Sequence, residues 1–455
     1  MCLRGLYNLY TYDIPVPGPH IGSGKTPNKT EKKREQQRRI PLPGWTEAID
    51  NSVPHITLLG SGGGQRAAVG LVGSLYQMEK EGLLDTLLYL GGVSGSAWSM
   101  SSLYSDQEWS TNMGRAVSRL SGPGVGLAEA LVQLGERAKE EHFSLTDIWG
   151  VMTSAGIMKQ LDLRHLSGDA MNAFNPYPIY NAVNKNCKWF EMTPHEAGFT
   201  DLGFFINTSH LISSHEADRG VKGPEMDMIK LQGVFYDQLS RSVYSSREVS
   251  PSSLSSLFHE KQRGEETTWL SKLDGEKQLN KNTNVLYCDL CCWEGAVVPS
   301  CIKLNKEHLQ LIDAGLMLNM PYPPFLGEKR DADLLIALDY GANGTFQTLT
   351  LAREYAVAVN KPFPEINDKI LEETDWPKDC YVFEGKKKEP TIVYMPLFNR
   401  HNCKAKMEEF STFQLPFSQE KIEFLLEMAK ANIKNNKETL LREIHKAVIR
   451  RQLNI

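Results

Sequence analysis

No apolar run in this chain reaches the roughly 18 residues that a membrane-spanning helix needs. The start, Met1-Cys2-Leu3-Arg4, lacks the apolar core of a secretory signal. Strong charge of one sign is missing as well. The 50 Lys and Arg face 55 Asp and Glu, a net charge of −5 that gives no support for nucleic acid as the main partner. Paired cysteine spacing is scarce. Cys2, Cys187, Cys288, Cys291, Cys292, Cys301, Cys380 and Cys403 are scattered, which suits reduced thiols in a cytosolic protein. Cys288 and Cys291 make one C-x-x-C beside Cys292, but no second pair and no H-x-x-x-H follows, so thiols on a strand are preferred to zinc. No metal and no cofactor is expected, and no internal repeat is found.

What is present is an ordinary globular composition, 41% hydrophobic and 23% charged, which argues against wholesale disorder. The 455 residues suffice for two or three domains, or for one large α/β domain with insertions. Residues 1–45 read as a tail. Pro15-Val16-Pro17-Gly18-Pro19-His20 is turn-rich, and Lys32-Lys33-Arg34-Glu35-Gln36-Gln37-Arg38-Arg39 is a basic run. A solvated helix face accounts for that run better than contact with anionic headgroups.

Two glycine-rich turns follow. His55-Ile56-Thr57-Leu58-Leu59 runs into Gly60-Ser61-Gly62-Gly63-Gly64-Gln65-Arg66, and Leu87-Leu88-Tyr89-Leu90 runs into Gly91-Gly92-Val93-Ser94-Gly95-Ser96-Ala97-Trp98. Each reads as strand, turn, helix. A βαβ unit brings both turns to one sheet edge, because parallel strands align their carboxyl ends. Ala67, Ala68, Val69, Leu71, Val72, Leu75 and Met78 make the intervening helix apolar enough to lie on that sheet. Gly60–Gly64 fails as a phosphate-binding loop, since no Gly-Lys-Ser/Thr follows, and Gln65 and Ala67 stand where a dinucleotide fingerprint wants its third glycine. Backbone N–H groups facing a developing oxyanion fit better. Ser94 holds the place of a nucleophile at a sharp strand-to-helix bend, with Ser96 where that motif usually has glycine. Arg66 is open to two readings, a charge-assisted hold on a substrate phosphate or a structural ion pair.

A serine nucleophile needs a base. His142, His165, His195, His210, His215, His259, His308, His401 and His445 follow Ser94, and none has a convincing context. Asp313 is better placed, after Leu309-Gln310-Leu311-Ile312 and before Ala314-Gly315. A carboxylate within hydrogen-bond reach can take the hydroxyl proton directly, although an aspartate there also suits a helix N-cap. A second strand, Leu334-Leu335-Ile336-Ala337-Leu338-Asp339, follows. Residues 99–150 read as amphipathic helices, with a helix start at Ser144-Leu145-Thr146-Asp147. Proline and aromatic residues mark 176–199 as short strands and ordered loops around a site. The least patterned stretch, 212–285, has a serine-rich centre around Pro251 and the character of a lid. The carboxyl-terminal stretch reads as one helix. Ile422, Leu425, Leu426, Ala429, Ile433, Leu440, Leu441 and Ile444 fall at helical spacing, and Lys430, Lys434, Lys437, Arg442 and Lys446 form a basic face.

Taken in order, Gly60–Arg66, Gly92–Ser96 and Ile312-Asp313-Ala314-Gly315-Leu316 closely resemble the group IV cytosolic phospholipase A2 family, in its short form without a calcium-dependent lipid-binding domain. Pro176-Tyr177-Pro178-Ile179, Trp189-Phe190-Glu191-Met192-Thr193-Pro194, Pro362-Phe363-Pro364 and Met395-Pro396-Leu397-Phe398-Asn399 agree. The resemblance implies an α/β, patatin-related three-layer fold with a central mixed sheet, helices on both faces and a cap or lid insertion. It implies a catalytic domain over residues 46–455, with the cap at about 212–285. It also implies a Ser–Asp dyad without histidine and without metal. Ser94 would be the nucleophile, Asp313 the base, Gly63 and Gly64 the oxyanion hole, and Arg66 a group near the substrate phosphate. The implied reaction is calcium-independent hydrolysis of glycerophospholipid esters, chiefly sn-2 with sn-1 open, through an acyl-enzyme, with lysophospholipase and transacylase side activity. The implied setting is cytoplasmic, on the periphery of intracellular membranes. A non-catalytic lipid-binding module on the same fold is the alternative. The chain ends Gln452-Leu453-Asn454-Ile455 without the cysteine of a prenylation box, so membrane contact is expected through apolar and basic surface.

Overall fold

The structure is a computed structural model that describes residues 53–140, 143–171, 174–184, 187–210, 225–235, 285–287, 308–342, 344–412 and 416–453. The tail of residues 1–45 and Cys288, Cys291 and Cys292 lie outside the described residues, as does most of 212–285.

β1 (Ile56–Gly60) leads through α1 (Gln65–Lys80) to β2 (Tyr89–Gly92), and α2 (Gly95–Leu103) leaves soon after. β1 and β2 pair in parallel with Gly60 opposite Gly92, which is the βαβ unit expected from the two turns. α3 (Gly114–Ser121), α4 (Leu127–Arg137) and α5 (Leu145–Met152) follow, the last opened by a capping box between Ser144 and Asp147. β3 (Tyr177–Asn184), β4 (Trp189–Met192), β5 (Glu196–Phe199) and β6 (Phe204–Asn207) form an antiparallel meander. Next come α6 (Met228–Val234), β7 (Val285–Tyr287) and β8 (His308–Asp313). Then follow β9 (Leu334–Asp339), α7 (Gln347–Ala358), β10 (Tyr381–Phe383) and β11 (Thr391–Pro396). α8 (Gln419–Asn435) and α9 (Lys437–Leu453) close the described chain.

One mixed sheet runs in the order β10-β11-β9-β1-β2-β3-β4-β5-β6, with β8 also on β3 and β7 on β8. Strands β11, β9, β1, β2 and β3 are parallel. Side chains in this block alternate between two buried faces. Ile56, Leu58, Leu334, Ile336, Val393 and Met395 join a core with α1 and α8, while Leu59, Leu335, Ala337, Ile392 and Tyr394 join another with α7. The result is the expected α/β arrangement of three layers, with helices on both faces of an open mixed sheet. A smaller core of Ala130, Leu134, Ile148, Val151 and Ile229 joins α4, α5 and α6. α6 falls inside the stretch that looked least patterned, yet all of its residues are buried.

The carboxyl-terminal stretch is two helices rather than one. Asn436 ends α8, where its buried side-chain amide donates to the Asn432 carbonyl at 2.9 Å, and its own carbonyl accepts from Leu440 at the start of α9. A side-chain amide that competes for helix carbonyls breaks the run there. Three lysines of the basic face are paired: Lys430 with Glu427, Lys437 with Glu81, Lys446 with Glu384. Among the described residues no helix is long and apolar enough to cross a membrane.

Candidate active site

Ser94 stands at the N-cap of α2 with φ 52° and ψ −123°, a conformation that residues bearing a side chain rarely adopt. Its hydroxyl does not cap the helix. Glycine has to follow it, because a Cβ on Gly95 would lie 2.0 Å from the Gly64 carbonyl oxygen. Ser96 donates its hydroxyl to the Ser61 carbonyl at 2.6 Å and ties the elbow to the first turn. In that turn Gly63 and Gly64 have φ of 148° and 60°. Among the described residues no backbone carbonyl takes the N–H of either.

Asp313 reaches the same place by another route. β4 lies along one edge of β3 from Tyr180 to Val183. The other edge is shared. β2 follows it as far as Tyr180, opposite Gly92, and β8 comes from the opposite direction as far as Ala182, opposite Asp313. The two strands therefore meet end to end across Asn181, about 7 Å apart at about 3.3 Å per residue. Asn181 fills the gap: its amide donates to the carbonyls of Gly92 at 3.0 Å and Ile179 at 2.8 Å, and Trp189 Nε1 donates to its oxygen at 3.0 Å. Asp313 Oδ1 accepts from Gly315 N at 2.8 Å and caps the short turn Ala314–Leu316. The N-cap reading of Asp313 thus holds, and it is compatible with a base role because a carboxylate has two oxygens. A side chain on Gly62 would meet Asn319 Oδ1 and the Ser94 Cβ at 2.2 and 2.8 Å, and one on Gly315 would meet Asn319 Oδ1 and Asp313 Oδ1 at 2.9 and 3.1 Å. Ser94, Asp313 and the glycine turn pack around Asn319.

Arg66 stands in the first turn of α1 and is buried, with 1% of its surface exposed. Nε donates to the Tyr340 carbonyl at 2.5 Å, Nη1 to the Phe410 carbonyl and Nη2 to Thr412 Oγ1 at 3.1 Å, with the Phe398 ring beside the guanidinium. Burial lowers its pKa to about 10, against the opposing pull of the Asp339 charge. The guanidinium lies behind the glycine turn, with Nη2 2.9 Å from where a Cβ on Gly63 would be. Its bonds go to two backbone carbonyls and a hydroxyl, an arrangement that neither sequence reading of Arg66 anticipated.

No family model matches the chain. Human cytosolic phospholipase A2 gamma is 28% identical over 91% of this chain and 94% of that protein. Mouse cytosolic phospholipase A2 zeta is 28% identical over 90% of this chain, which spans 59% of it. Human GIVD cytosolic phospholipase A2 shares the fold, with a TM-score of 0.71 and 22% identity over 92% of this chain and 66% of that one. The homologues of this chain are group IV cytosolic phospholipases A2. A structure of the human GIVD protein in complex with methyl gamma-linolenyl fluorophosphonate aligns with a TM-score of 0.66 and 22% identity, over 93% of this chain and 63% of that one.

Beside these phospholipase homologues, the placement of histidine is informative. His195 Nδ1 lies 2.9 Å from the Tyr177 hydroxyl, and Tyr177 pairs with Tyr89 at the far end of β2 from the elbow. His401 faces Asp379 at 3.5 Å, and His165 pairs through its backbone with Asp227 in an isolated antiparallel β-bridge. His142, His215 and His259 lie outside the described residues. Asn181 and Asn319 are the polar residues that sequence reasoning missed. Each is an asparagine inside an apolar stretch, Ile179-Tyr180-Asn181-Ala182-Val183 and Leu318-Asn319-Met320, and that intrusion was the available signal. Among the described residues no cluster of three metal-ligating side chains occurs.

Proposed function

We propose that this chain is a calcium-independent phospholipase that hydrolyses the sn-2 ester of glycerophospholipids, with sn-1, lysophospholipase and transacylase chemistry at the same site. One observation carries the reading: β2 and β8 meet end to end on β3, so Ser94, just past the end of β2, and Asp313, the last residue of β8, converge around Asn319 beside Gly62. Relatives named as phospholipases A2 point the same way. In this reading Asp313 takes the hydroxyl proton as Ser94 Oγ attacks the ester carbonyl. The N–H groups of Gly63 and Gly64 donate to the tetrahedral oxyanion. Collapse breaks the ester bond, the lysophospholipid alkoxide takes the proton back from Asp313, and the acyl group stays on Ser94. Asp313 then deprotonates water, which attacks the acyl-enzyme, and Ser94 leaves with that proton as the fatty acid departs. An alcohol in place of water gives transacylation. Arg66 supplies positive charge behind the turn, on the side proposed for the substrate phosphate. Residues 46–455 are proposed as one catalytic unit with 212–285 as its cap, working from the cytoplasm on intracellular membranes.

The test is hydrolysis of labelled phosphatidylcholine and of its lyso form with calcium chelated. Ser94→Ala and Asp313→Ala are each expected to lose activity by about 10⁴-fold or more. Full activity in either variant would sink the dyad. Labelling with a fluorophosphonate separates catalysis from the lipid-binding alternative, since a chain that only binds lipid would leave Ser94 unmodified.

A further inference from the structure

We infer that Asn319 and Ser61 are positioning residues that lock the Gly62–Gly63 peptide so that its N–H faces the reacting ester; this rests on the phospholipase reading above. In a trans peptide the carbonyl of one residue and the N–H of the next point in opposite directions, and every peptide described here is trans. Whatever grips the Gly62 oxygen therefore aims the Gly63 N–H. Two donors grip it: Asn319 Nδ2 at 3.2 Å and Ser61 Oγ at 3.1 Å. Each donor is itself fixed. Tyr340 N donates to Ser61 Oγ at 2.8 Å, which leaves the single hydroxyl proton for Gly62. The Asn319 carbonyl accepts from Gly62 N at 3.2 Å, so one residue holds both ends of Gly62.

The grip matters because of the residues on either side. Rotating this peptide changes the ψ of Gly62 and the φ of Gly63, and neither residue has a Cβ to resist. Gly63 sits at φ 148°, a region open to glycine that sets no barrier of its own. An unheld peptide here would populate orientations in which the N–H turns away. Asn319 also touches the two positions that measure the site, standing where side chains on Gly62 and Gly315 would be, beside Ser94 Cβ and Asp313 Oδ1. Ser61 and Asn319 are 258 positions apart in the chain, so only the fold makes the clamp.

The experiment compares Asn319→Ala, Asn319→Asp, Ser61→Ala and the Asn319→Ala/Ser61→Ala double variant of the full chain, with Ser94→Ala as control and phosphatidylcholine vesicles as substrate. Removing an oxyanion donor outright lowers kcat about 10²–10³-fold, so freeing one from its clamp is expected to lower kcat about 10–100-fold. KM and the shape of the pH–rate profile should stay as in the wild type. Asn319→Asp keeps the side-chain shape but turns a donor into an acceptor against the Gly62 carbonyl, and should fall at least as far as Asn319→Ala. The rate of Ser94 phosphonylation by an alkyl fluorophosphonate should drop in parallel. If Asn319→Ala fails to fold, Ser61→Ala carries the same expectation. The inference is overturned if folded variants keep kcat within about two-fold of wild type, if the loss lies only in KM, or if the pH profile moves, which would assign Asn319 to Asp313 instead. Normal Asn319 and Ser61 variants beside a dead Ser94→Ala would remove the clamp and leave the phospholipase reading standing. An active Ser94→Ala would remove both.

Discussion

At Arg66 three guanidinium nitrogens reach Tyr340, Phe410 and Thr412, which belong to the segments after β9 and after β11. A planar fork suits this three-point attachment, and a lysine cannot reproduce it. Asp339 is held in turn by Gly341 N, Thr348 Oγ1 and the Tyr394 hydroxyl, so charge and countercharge are both fixed behind the glycine turn. Arg66→Met leaves two buried carbonyls without donors, at about 1–3 kcal/mol each, and should lower the midpoint of thermal unfolding accordingly. Arg66→Lys keeps the charge and should unfold at an intermediate temperature. Its kcat should fall to the same degree on a phospholipid and on a phosphate-free fatty-acyl ester. A loss confined to the phospholipid would place the guanidinium on the phosphate itself.

The strand–turn–helix elements at the two glycine turns explain why their residues are small. Gly95 backs onto the Gly64 carbonyl, so the elbow and the first turn are in van der Waals contact through bare backbone. Gly95→Ala is expected to lose about 3 kcal/mol or more, or not to fold, because a methyl at 2.0 Å from a carbonyl oxygen forces the two turns apart. Ser96→Gly restores the usual form of the motif yet leaves the buried Ser61 carbonyl without this donor, and should lose about 1–3 kcal/mol. Urea titrations of the two variants check the order; a Gly95→Ala as stable as wild type would show that the contact yields. The existence of β1, α1, β2 and the elbow was legible because apolar runs ending in glycine are local signals. The break at Asn436 was not, because the apolar spacing continues across it and only a side-chain bond to Asn432 stops the helix.

At the scale of the molecule, α6 is fastened to α4 and α5 by buried charge. Arg137 lies against Asp147 at 3.4 Å and against Asp227, and Lys230 lies 3.3 Å from Asp147. Asp147 is fully buried and also accepts from Ser144 N at 2.9 Å. Asp147→Asn keeps the shape and leaves the buried Lys230 without its anion while Arg137 keeps Asp227, so it should destabilise the protein by about 3–5 kcal/mol. Replacing Arg137, Asp147 and Lys230 together by apolar residues of similar size should lose less than that single change, as read from denaturant unfolding.

The sequence by itself determined the two turns, their shared sheet edge, a serine at the sharp strand-to-helix bend and an aspartate at a strand end. These are properties of short stretches, set by strand patterning, by glycine's lack of a Cβ and by the steric demands of a sharp bend. Only the tertiary structure decided what Asp313 and Arg66 face. β8 is joined to β2 by nothing in the local chain, and Asp313 ends up facing the end of β2 at Gly92 because β3 offers both strands a single edge. Arg66 turns inward because backbone carbonyls from 274 and 344 positions away need a donor where it stands. Asn319 and Ser61 meet at Gly62 for the same reason: hydrogen-bond demand is satisfied in space and leaves little trace in sequence order.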